Sequence, residues 1–179
     1  MPEEKVIDSR SIYDGRVVHL RMETIQAENG ETYQREVIRH GGAVALVPLD
    51  PDDTLILVRQ FRAGADGPML EIPAGTLDPG EDRLDCARRE LQEEIGYYPG
   101  KLTPIGQLRV AASYTSEVIT VYLAEDLRPS RLPGDEDENI TIVRMPFDEA
   151  LRMAYSNEID DSKTLIALMW MAHRRAGAG

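Results

Sequence analysis

Residues 75–97 read GTLDPGEDRLDCARRELQEEIGY. Apolar residues recur at spacings of three and four from Arg83 to Ile95, which predicts a helix with one apolar side. Gly96 is the predicted stop of that helix. The loop in front of the helix holds two glycines and a proline, which indicates a specific backbone conformation there.

Three glutamates of this helix carry the first chemical signal. Glu90, Glu93 and Glu94 follow the spacing i, i+3 and i+4, so their side chains are predicted to share one exposed face. Carboxylates this close repel one another unless a positive group lies among them, and Mg²⁺ prefers oxygen ligands of this kind. Taken alone, the same spacing is also typical of an ordinary solvated acidic face.

The complete segment resembles the Nudix box, which has the form G-x5-E-x7-R-E-U-x-E-E-x-G-U, where U is bulky and apolar. The matching positions are Gly75, Glu81, Arg89, Glu90, Leu91, Glu93, Glu94 and Gly96. Tyr97 departs mildly from the pattern, because an aliphatic residue is usual at the last position. The resemblance implies an α+β fold, the α/β/α sandwich of Nudix proteins, with an N-terminal β-strand arm.

The resemblance also implies a metal site and its ligands. Mg²⁺ is the expected metal, with Mn²⁺ as the alternative, and the expected ligands come from Ala74 (its backbone carbonyl), Glu90, Glu93 and Glu94. Glu93 and Arg89 are expected among the catalytic residues, whereas Glu81 is expected either to pair with Arg89 or to bind metal. A metal that bridges phosphate oxygens offsets their repulsion of an attacking water and lowers the pKa of bound water.

Segments outside the box resemble the branch of the family that hydrolyses ADP-ribose and nucleoside diphosphate sugars. They are residues 41–50, 57–62, 70–81 and 113–127. Arg59 and Arg62 are expected to bind the diphosphate, because the planar guanidinium fork binds two oxygens at once. A salt bridge from either arginine to a neighbouring carboxylate is the alternative.

The loop before the strand Val118–Ala124 carries a further candidate. The resemblance implies that Glu117 serves as the catalytic base or as an extra metal ligand, and a solvated loop carboxylate is the alternative. Ala112 stands in this loop where enzymes specific for ADP-ribose commonly have a proline. The sequence therefore leaves the preferred base and sugar open.

Residues 1–40 are interpreted as an added β arm and residues 41–179 as the hydrolase domain. Strands are predicted at Val17–Gln26 and Thr32–His40, and the Asn29-Gly30 pair between them predicts a hairpin. The resemblance implies that the arm crosses to a second subunit, so a homodimer is expected. Arg35 and Glu36 are expected to contact the base or ribose, with cross-strand pairing as the alternative.

The remaining pattern predicts mixed strands with few helices, which is typical of an α+β fold. Strands are predicted at Ala43–Pro48, Thr54–Gln60, Leu102–Val110, Val118–Ala124 and Ile140–Met145, an acidic loop at Asp126–Glu138, and helices from Phe147 and over Ser162–Arg175. Asp161 or Ser162 is the predicted cap of the last helix.

Composition restricts the partners and the location of the protein. The 179 residues suit one domain with an added arm, and the net charge of -12 argues against binding to nucleic acid or to anionic membranes. No apolar run approaches the roughly 20 residues that span a bilayer. With Cys86 as its single cysteine and a charged segment at Met1–Arg10, the protein is expected in the cytoplasm.

These observations predict a Mg²⁺-dependent hydrolase that splits the pyrophosphate bond of ADP-ribose or a related nucleoside diphosphate sugar into a nucleoside monophosphate and a sugar phosphate. The enzymatic alternative is GDP-mannose or another nucleoside diphosphate hexose as substrate. The alternative of a different class is a non-catalytic module that senses a nucleotide sugar. Such a module would be expected to have damaged box carboxylates, and all of them are present here.

Overall fold

The structure is a computed structural model that describes residues 3–134 and 139–177. Residues 135–138, the end of the predicted acidic loop, lie outside the described residues, as do the two C-terminal residues. Within the described ranges, no helix combines the length and apolar character that a membrane crossing requires.

Ten strands and three α-helices form within these ranges. The strands are β1 (Lys5–Asp14), β2 (His19–Gln26), β3 (Thr32–Arg39), β4 (Ala43–Pro48), β5 (Thr54–Arg62), β6 (Gly67–Glu71), β7 (Ala74–Thr76), β8 (Tyr97–Arg109), β9 (Val118–Pro129) and β10 (Thr141–Pro146). The helices are α1 (Arg83–Glu90), α2 (Phe147–Tyr155) and α3 (Ser162–Arg175).

The chain divides into two compact units. The first unit comprises the chain up to Gly42 together with Arg109–Val118. The second comprises Ala43–Leu108 and the chain from Ile119 onward. The sequence did not associate Arg109–Val118 with the N-terminal strands, because nothing in the local pattern of that segment reports a contact with residues so far away in the chain.

The first unit contains an antiparallel sheet in the order β1-β2-β3. The predicted hairpin between β2 and β3 is confirmed, and Gly30 adopts the positive φ of 85° that its turn requires. Strand β1 was not predicted. All ten of its residues are exposed, so its sequence lacks the alternation of buried and solvated positions by which a strand is normally found.

The second unit is built on two sheets, in the orders β7-β4-β9-β8 and β10-β5-β6. Strand β4 runs parallel to β9, whereas β5 runs antiparallel to both β6 and β10. The residues of β4 and the residues from Leu55 to Val58 in β5 are all buried, which is expected for strands that are covered on both faces.

Alternate residues of β4 and β5 point into two separate apolar clusters, because successive side chains of a strand face opposite sides. One cluster packs under α1 and contains Val44, Leu46, Ile56, Val58, Cys86, Ala87, Leu91 and Ile95. The other packs under α2 and α3 and contains Ala45, Val47, Leu55, Leu57, Phe147, Ala167 and Leu168. The second unit is therefore the expected α/β/α sandwich.

The box helix is not the single regular helix that was predicted for Arg83–Ile95. The α-helix ends at Glu90, and Leu91–Ile95 form a π-helical turn, which is wider than an α-helical turn. The prediction that the three glutamates share an exposed face is also wrong. Glu90 and Glu94 are buried, and only 8% and 4% of their surfaces are exposed, while Glu93 is half-buried.

The ends of the helices agree better with the predictions from the sequence than the box helix does. Gly96 ends the π-helical turn with a φ of 76°, a left-handed conformation that glycine adopts without strain. Of the two candidate caps, Asp161 and not Ser162 caps α3, and its carboxylate accepts a hydrogen bond from the Thr164 amide at 2.9 Å. Leu84 is one of the apolar residues at helical spacing between Arg83 and Ile95, but it is 37% exposed instead of buried.

Candidate active site

A tight turn in front of α1 sets the position of Glu81. The amide of Glu81 donates to the carbonyl of Asp78 at 3.0 Å, and the amide of Asp78 donates to Glu81 Oε2 at 3.0 Å. Asp82 then caps the helix, because its side chain accepts from the amide of Leu84 at 2.8 Å. The loop therefore delivers Glu81 to a fixed point beside the first turns of α1.

Arg89 is the centre of the charged residues of the box. Its guanidinium forks onto Glu81, with Nε and Nη2 each donating to one carboxylate oxygen at 2.9 Å. Its Nη1 donates to Glu90 at 2.6 Å and to Glu93 at 2.9 Å. The fifth contact, from Nη2 to the carbonyl of Thr76 at 3.2 Å, fastens the same side chain to β7. Arg89 therefore fixes three glutamates relative to one another and to β7.

The electrostatics of this group follow from the same contacts. The hydrogen bonds from Arg89 lower the pKa of Glu81 to about 2, against a smaller opposing contribution from burial. The pKa of Arg89 is raised, first by its hydrogen bond to Glu81 and further by the charge of Glu90. Burial raises the pKa of the Cys86 thiol, as do the charges of Glu90 and Glu81, so this cysteine is not activated as a nucleophile.

Gly75 is required by the close approach of β7 to α1. A Cβ atom at this position would lie 1.9 Å from both Cδ and Oε1 of Glu90. Any other residue would therefore displace the carboxylate of Glu90. Gly75 therefore leaves space for the side chain of Glu90, which the resemblance implies is a metal ligand.

Glu94 contacts the same backbone segment from the π-helical turn. Its Oε2 accepts a hydrogen bond from the amide of Ala74 at 3.1 Å. The resemblance assigned a ligand role to the carbonyl of Ala74, and the contact in the structure is made by its amide. Glu90 and Glu94 therefore converge on the short stretch from Ala74 to Gly75.

We call Glu81, Arg89, Glu90, Glu93 and Glu94 the box cluster. Within residues 3–134 and 139–177, no three His, Cys, Asp or Glu side chains are arranged as a complete metal site. The donor chemistry of the box cluster nevertheless fits a hard divalent cation, because the cluster offers the carboxylate oxygens of four glutamates. Two of these glutamates, Glu90 and Glu94, are buried. Four glutamates also exceed the single positive charge of Arg89, and an added cation reduces their repulsion.

Arg59 and Arg62, the two arginines expected to bind the diphosphate, have different surroundings. Arg62 forks onto the buried carboxylate of Glu71, with its Nε and Nη2 donating at 2.8 and 2.9 Å. This contact is the salt bridge that the sequence left open as the alternative. Arg59 is exposed and forms no ion pair with any residue in the described part of the chain.

Sequence reasoning missed a second charged group, which we call the Glu71 cluster. Its members are Arg62, Glu71, Asp161 and Lys163. Lys163 donates a hydrogen bond to Glu71 and forms an ion pair with Asp161 at 3.0 Å, and the carboxylate of Glu71 is only 1% exposed. The available signal was a glutamate between two apolar residues, in the run Leu70-Glu71-Ile72, because a charge within an apolar strand needs a buried partner.

The net pKa of Glu71 is lowered by its cationic partners. Burial raises the pKa, and the hydrogen bond from Arg62 and the charge of Lys163 together outweigh that effect. For Arg62, the hydrogen bond to Glu71 raises the pKa, and the charge of Glu94 adds to it. Arg62 therefore lies within electrostatic range of the box cluster.

The remaining candidates lie in the first unit. Arg35 lies over the ring of Tyr33, with its Cζ 4.4 Å from the ring centroid, and both Arg35 and Glu36 are exposed on β3. Their cross-strand neighbours on β2 are Glu23 and Met22. Glu117 is half-buried in the loop before β9, where its amide donates to Thr115 Oγ1 at 3.2 Å.

An α/β/α sandwich that carries an intact box of this form defines a Nudix hydrolase. The family model described as NUDIX domain matches residues 39–168, and the chain belongs to that family. The protein is therefore a pyrophosphohydrolase by enzymatic class.

Two relatives and one solved structure are similar along much of the chain. The ADP-ribose pyrophosphatase of Bacillus subtilis (strain 168) is 35% identical over 176 residues, which are 97% of this chain and 95% of the relative. The GDP-mannose pyrophosphatase of Salmonella arizonae is 38% identical over 149 residues, 78% of each chain. A crystal structure of an ADP compounds hydrolase matches 99% of this chain and 96% of its own, with 29% identity and a TM-score of 0.86.

Proposed function

We propose that this protein hydrolyses the pyrophosphate bond of ADP-ribose, or of a closely related nucleoside diphosphate sugar, in a reaction that depends on Mg²⁺. The observation that carries the proposal is the similarity to an ADP-ribose pyrophosphatase over 97% of the chain, which includes the N-terminal strands as well as the box. Water would attack one phosphorus, the bridging P–O bond would break, and the products would be a nucleoside monophosphate and a sugar phosphate.

The box cluster would hold the metal. We assign Glu90, Glu93 and Glu94 as ligands, with the carbonyl of Ala74 as a further donor, and Mn²⁺ as an alternative to Mg²⁺. When bound, the metal supplies charge neutralisation at the phosphate oxygens and lowers the pKa of coordinated water. Arg89 would keep Glu81, Glu90 and Glu93 in place, since it already donates to all three carboxylates.

Glu117 is the proposed general base or additional metal ligand. A base outside the box is attractive because the box glutamates would be occupied by metal and by Arg89. Glu117 is half-buried and its backbone is hydrogen-bonded on both sides, with its amide bound to Thr115 and its carbonyl bound to the amide of Val110 at 3.4 Å. A carboxylate on a restrained backbone suits a role that requires a fixed position.

Substrate contacts are proposed for four further residues. Arg59 is the better candidate for the diphosphate, because its guanidinium is exposed and forms no ion pair within the described residues. Arg62 is partly committed to Glu71, but 39% of its side chain is exposed, so it can still meet an anion. Arg35 and Glu36 are exposed on β3 and are proposed to contact the base or ribose.

We further propose that the N-terminal residues 1–40 form a dimerising arm attached to a hydrolase domain of residues 41–179. Strand β1 exposes apolar side chains along its length, with Val6, Ile7 and Ile12 exposed by 48%, 49% and 45%. A second copy of the chain would cover this apolar surface. The single cysteine, Cys86, is consistent with our expectation of a cytoplasmic location.

The alternative functions are less well supported. GDP-mannose pyrophosphatases match 78% to 80% of this chain, against 97% for the ADP-ribose pyrophosphatase. A module that only senses nucleotide sugars has no need of an intact box, and here every box carboxylate is present and is held in a defined contact.

The test is turnover of ADP-ribose, GDP-mannose, UDP-glucose, NADH and nucleoside triphosphates, each with and without Mg²⁺. Phosphate released by a coupled phosphatase reports cleavage. Fastest Mg²⁺-dependent turnover of ADP-ribose is expected, and Glu93→Gln should abolish it. The matched control is Glu149→Gln, which alters an exposed glutamate on α2. Preference for another nucleotide sugar would change the substrate assignment, and no turnover with any compound would overturn the proposal.

A further inference from the structure

The loop that joins β8 to β9 lies along the edge of β3 that faces away from β2. The amide of Ile38 donates to the carbonyl of Tyr114 at 2.8 Å, and the amide of Ser116 donates to the carbonyl of Ile38 at 3.0 Å. Ile38 and Thr115 also form a parallel β-bridge. The segment therefore behaves as a short added strand of the N-terminal sheet, held by two backbone hydrogen bonds.

The side chain of Ser116 extends this attachment by one residue. Its Oγ accepts a hydrogen bond from the amide of His40 at 2.9 Å and lies 3.4 Å from the carbonyl of His40, to which it donates. Ser116 and His40 are both half-buried. Loss of the hydroxyl would leave the His40 amide without its acceptor in a partly desolvated position, which favours opening of the loop.

The backbone around Ser116 is restrained up to Glu117. The amides of Tyr114 and Thr115 both donate to the carbonyl of Ala111, at 3.1 and 3.0 Å, so the start of the loop is a compact turn. Thr115 Oγ1 accepts from the amide of Glu117 at 3.2 Å. Glu117 is therefore hydrogen-bonded to Thr115, a residue that is itself bridged to Ile38 of β3.

We infer that Ser116 is a positioning residue, which fastens the loop carrying Glu117 to the edge of the β arm. The importance of this attachment for turnover rests on the proposed role of Glu117, but the attachment itself does not. The N-terminal strands then have a second task besides association of two chains, because they determine how rigidly the Glu117 backbone is held.

The experiment compares Ser116→Ala, Ser116→Thr and Ser11→Ala in the full-length protein. Ser11 is the matched control, because its hydroxyl is bound to Asp14 on the same sheet and is exposed. Amide hydrogen exchange is measured by mass spectrometry on peptides covering residues 110–118, and kcat and KM are measured with Mg²⁺ and ADP-ribose. Glu117→Gln is measured alongside with the same substrate.

Ser116→Ala is expected to speed exchange in residues 110–118 by about threefold to tenfold, the change expected for loss of one hydrogen bond. It is also expected to lower kcat by a similar factor with little change in KM. Ser116→Thr should restore both values, and Ser11→Ala should alter neither. Unchanged exchange in Ser116→Ala would overturn the attachment. Faster exchange with normal kcat, in a protein whose Glu117→Gln variant is inactive, would overturn the positioning role.

The same set of variants separates this inference from the proposed function. Normal turnover in Glu117→Gln would remove Glu117 from catalysis, whatever the exchange data show. Faster exchange in Ser116→Ala would still establish that the serine fastens the loop to β3. The two ideas therefore fail on different measurements.

Discussion

The box cluster and the Glu71 cluster lie in the same unit and are built from the same kinds of side chain, but their charges are balanced differently. The Glu71 cluster contains two acids, Glu71 and Asp161, and two bases, Arg62 and Lys163. The box cluster contains four glutamates and one arginine, Arg89. Counted by formal charge, the first group is neutral by itself, whereas the second contains three more acids than bases.

This difference separates a structural cluster from one that is suited to bind a cation. Buried carboxylates are costly unless they are paired, and Glu71 meets that requirement within the protein. Glu90 and Glu94 are also buried, and they belong to a group in which four glutamates surround one arginine. A divalent cation would supply what the box cluster lacks, and this contrast leads to four predictions.

The largest effect is expected from Glu94→Gln. Glutamine retains an acceptor for the Ala74 amide but removes the charge that is proposed to bind metal. Turnover should fall by about 100-fold or more, comparable to loss of one preorganised electrostatic group. Steady-state kinetics at saturating Mg²⁺ measure it, with circular dichroism to check folding. Nearly normal turnover would show that Glu94 does not bind the metal, and would weaken the contrast between the two clusters.

Glu71→Gln should mainly lower the stability of the protein, whereas Glu94→Gln should mainly lower its turnover. Glu71→Gln leaves Lys163 and Arg62 without their shared buried carboxylate, so the free energy of unfolding should fall by about 2–4 kcal/mol. The Glu71 cluster contains none of the proposed metal ligands, so the dependence of turnover on Mg²⁺ should be retained. Urea unfolding measures the change, with Glu158→Gln as the control because Glu158 forms an exposed ion pair with Arg152. Equal stability of the two variants would refute a structural role for the Glu71 cluster.

Addition of Mg²⁺ should stabilise the two variants unequally. A ligand that binds only the folded state at 100 times its Kd adds about 2.7 kcal/mol of stability. The melting temperature should therefore rise with Mg²⁺ in the wild type and in Glu71→Gln, and should change much less in Glu94→Gln. Differential scanning fluorimetry with EDTA as the reference gives the comparison. An equal rise in all three proteins would place the binding site of the cation elsewhere.

The smallest effect is expected in the dependence of stability on pH. The pKa of Glu71 in the folded protein lies below its usual value of 4.5, so its stabilising contribution is complete above that pH. The contribution is lost as the pH falls from about 4.5 through the folded pKa. Between pH 7 and pH 3 the wild type should lose more stability than Glu71→Gln. Parallel losses in urea unfolding across this range would contradict the assignment.

The box was predictable from sequence because its geometry is local. Gly75, Glu81 and Arg89 lie within 15 residues of one another, and a family pattern records their spacing. The bounds of α3 and its cap were predicted for the same reason, since Asp161 acts on its own helix. The layered sandwich was expected from the resemblance to the Nudix family, whereas individual elements such as the strand Ala43–Pro48 were predicted from their apolar patterns.

The missed features depend on contacts that are distant in the chain or on exposed surfaces. Lys163 reaches Glu71 across 92 residues, and no local pattern encodes this pairing. Ser116 joins Ile38 and His40 in a similar way. Strand β1 was missed because it buries none of its side chains in a single chain, so its sequence shows no alternation.

The π-helical turn at Leu91–Ile95 has a consequence for how the box can change during evolution. Such a turn corresponds to an α-helix into which one extra residue has been inserted. Deletion of one residue there would restore a regular helix but would rotate everything that follows by about 100°. Ile95 would then leave the apolar cluster under α1, and Glu94 would turn away from Ala74. Insertion or deletion of a residue in this segment should therefore be poorly tolerated, even at positions where the side chain itself can be replaced.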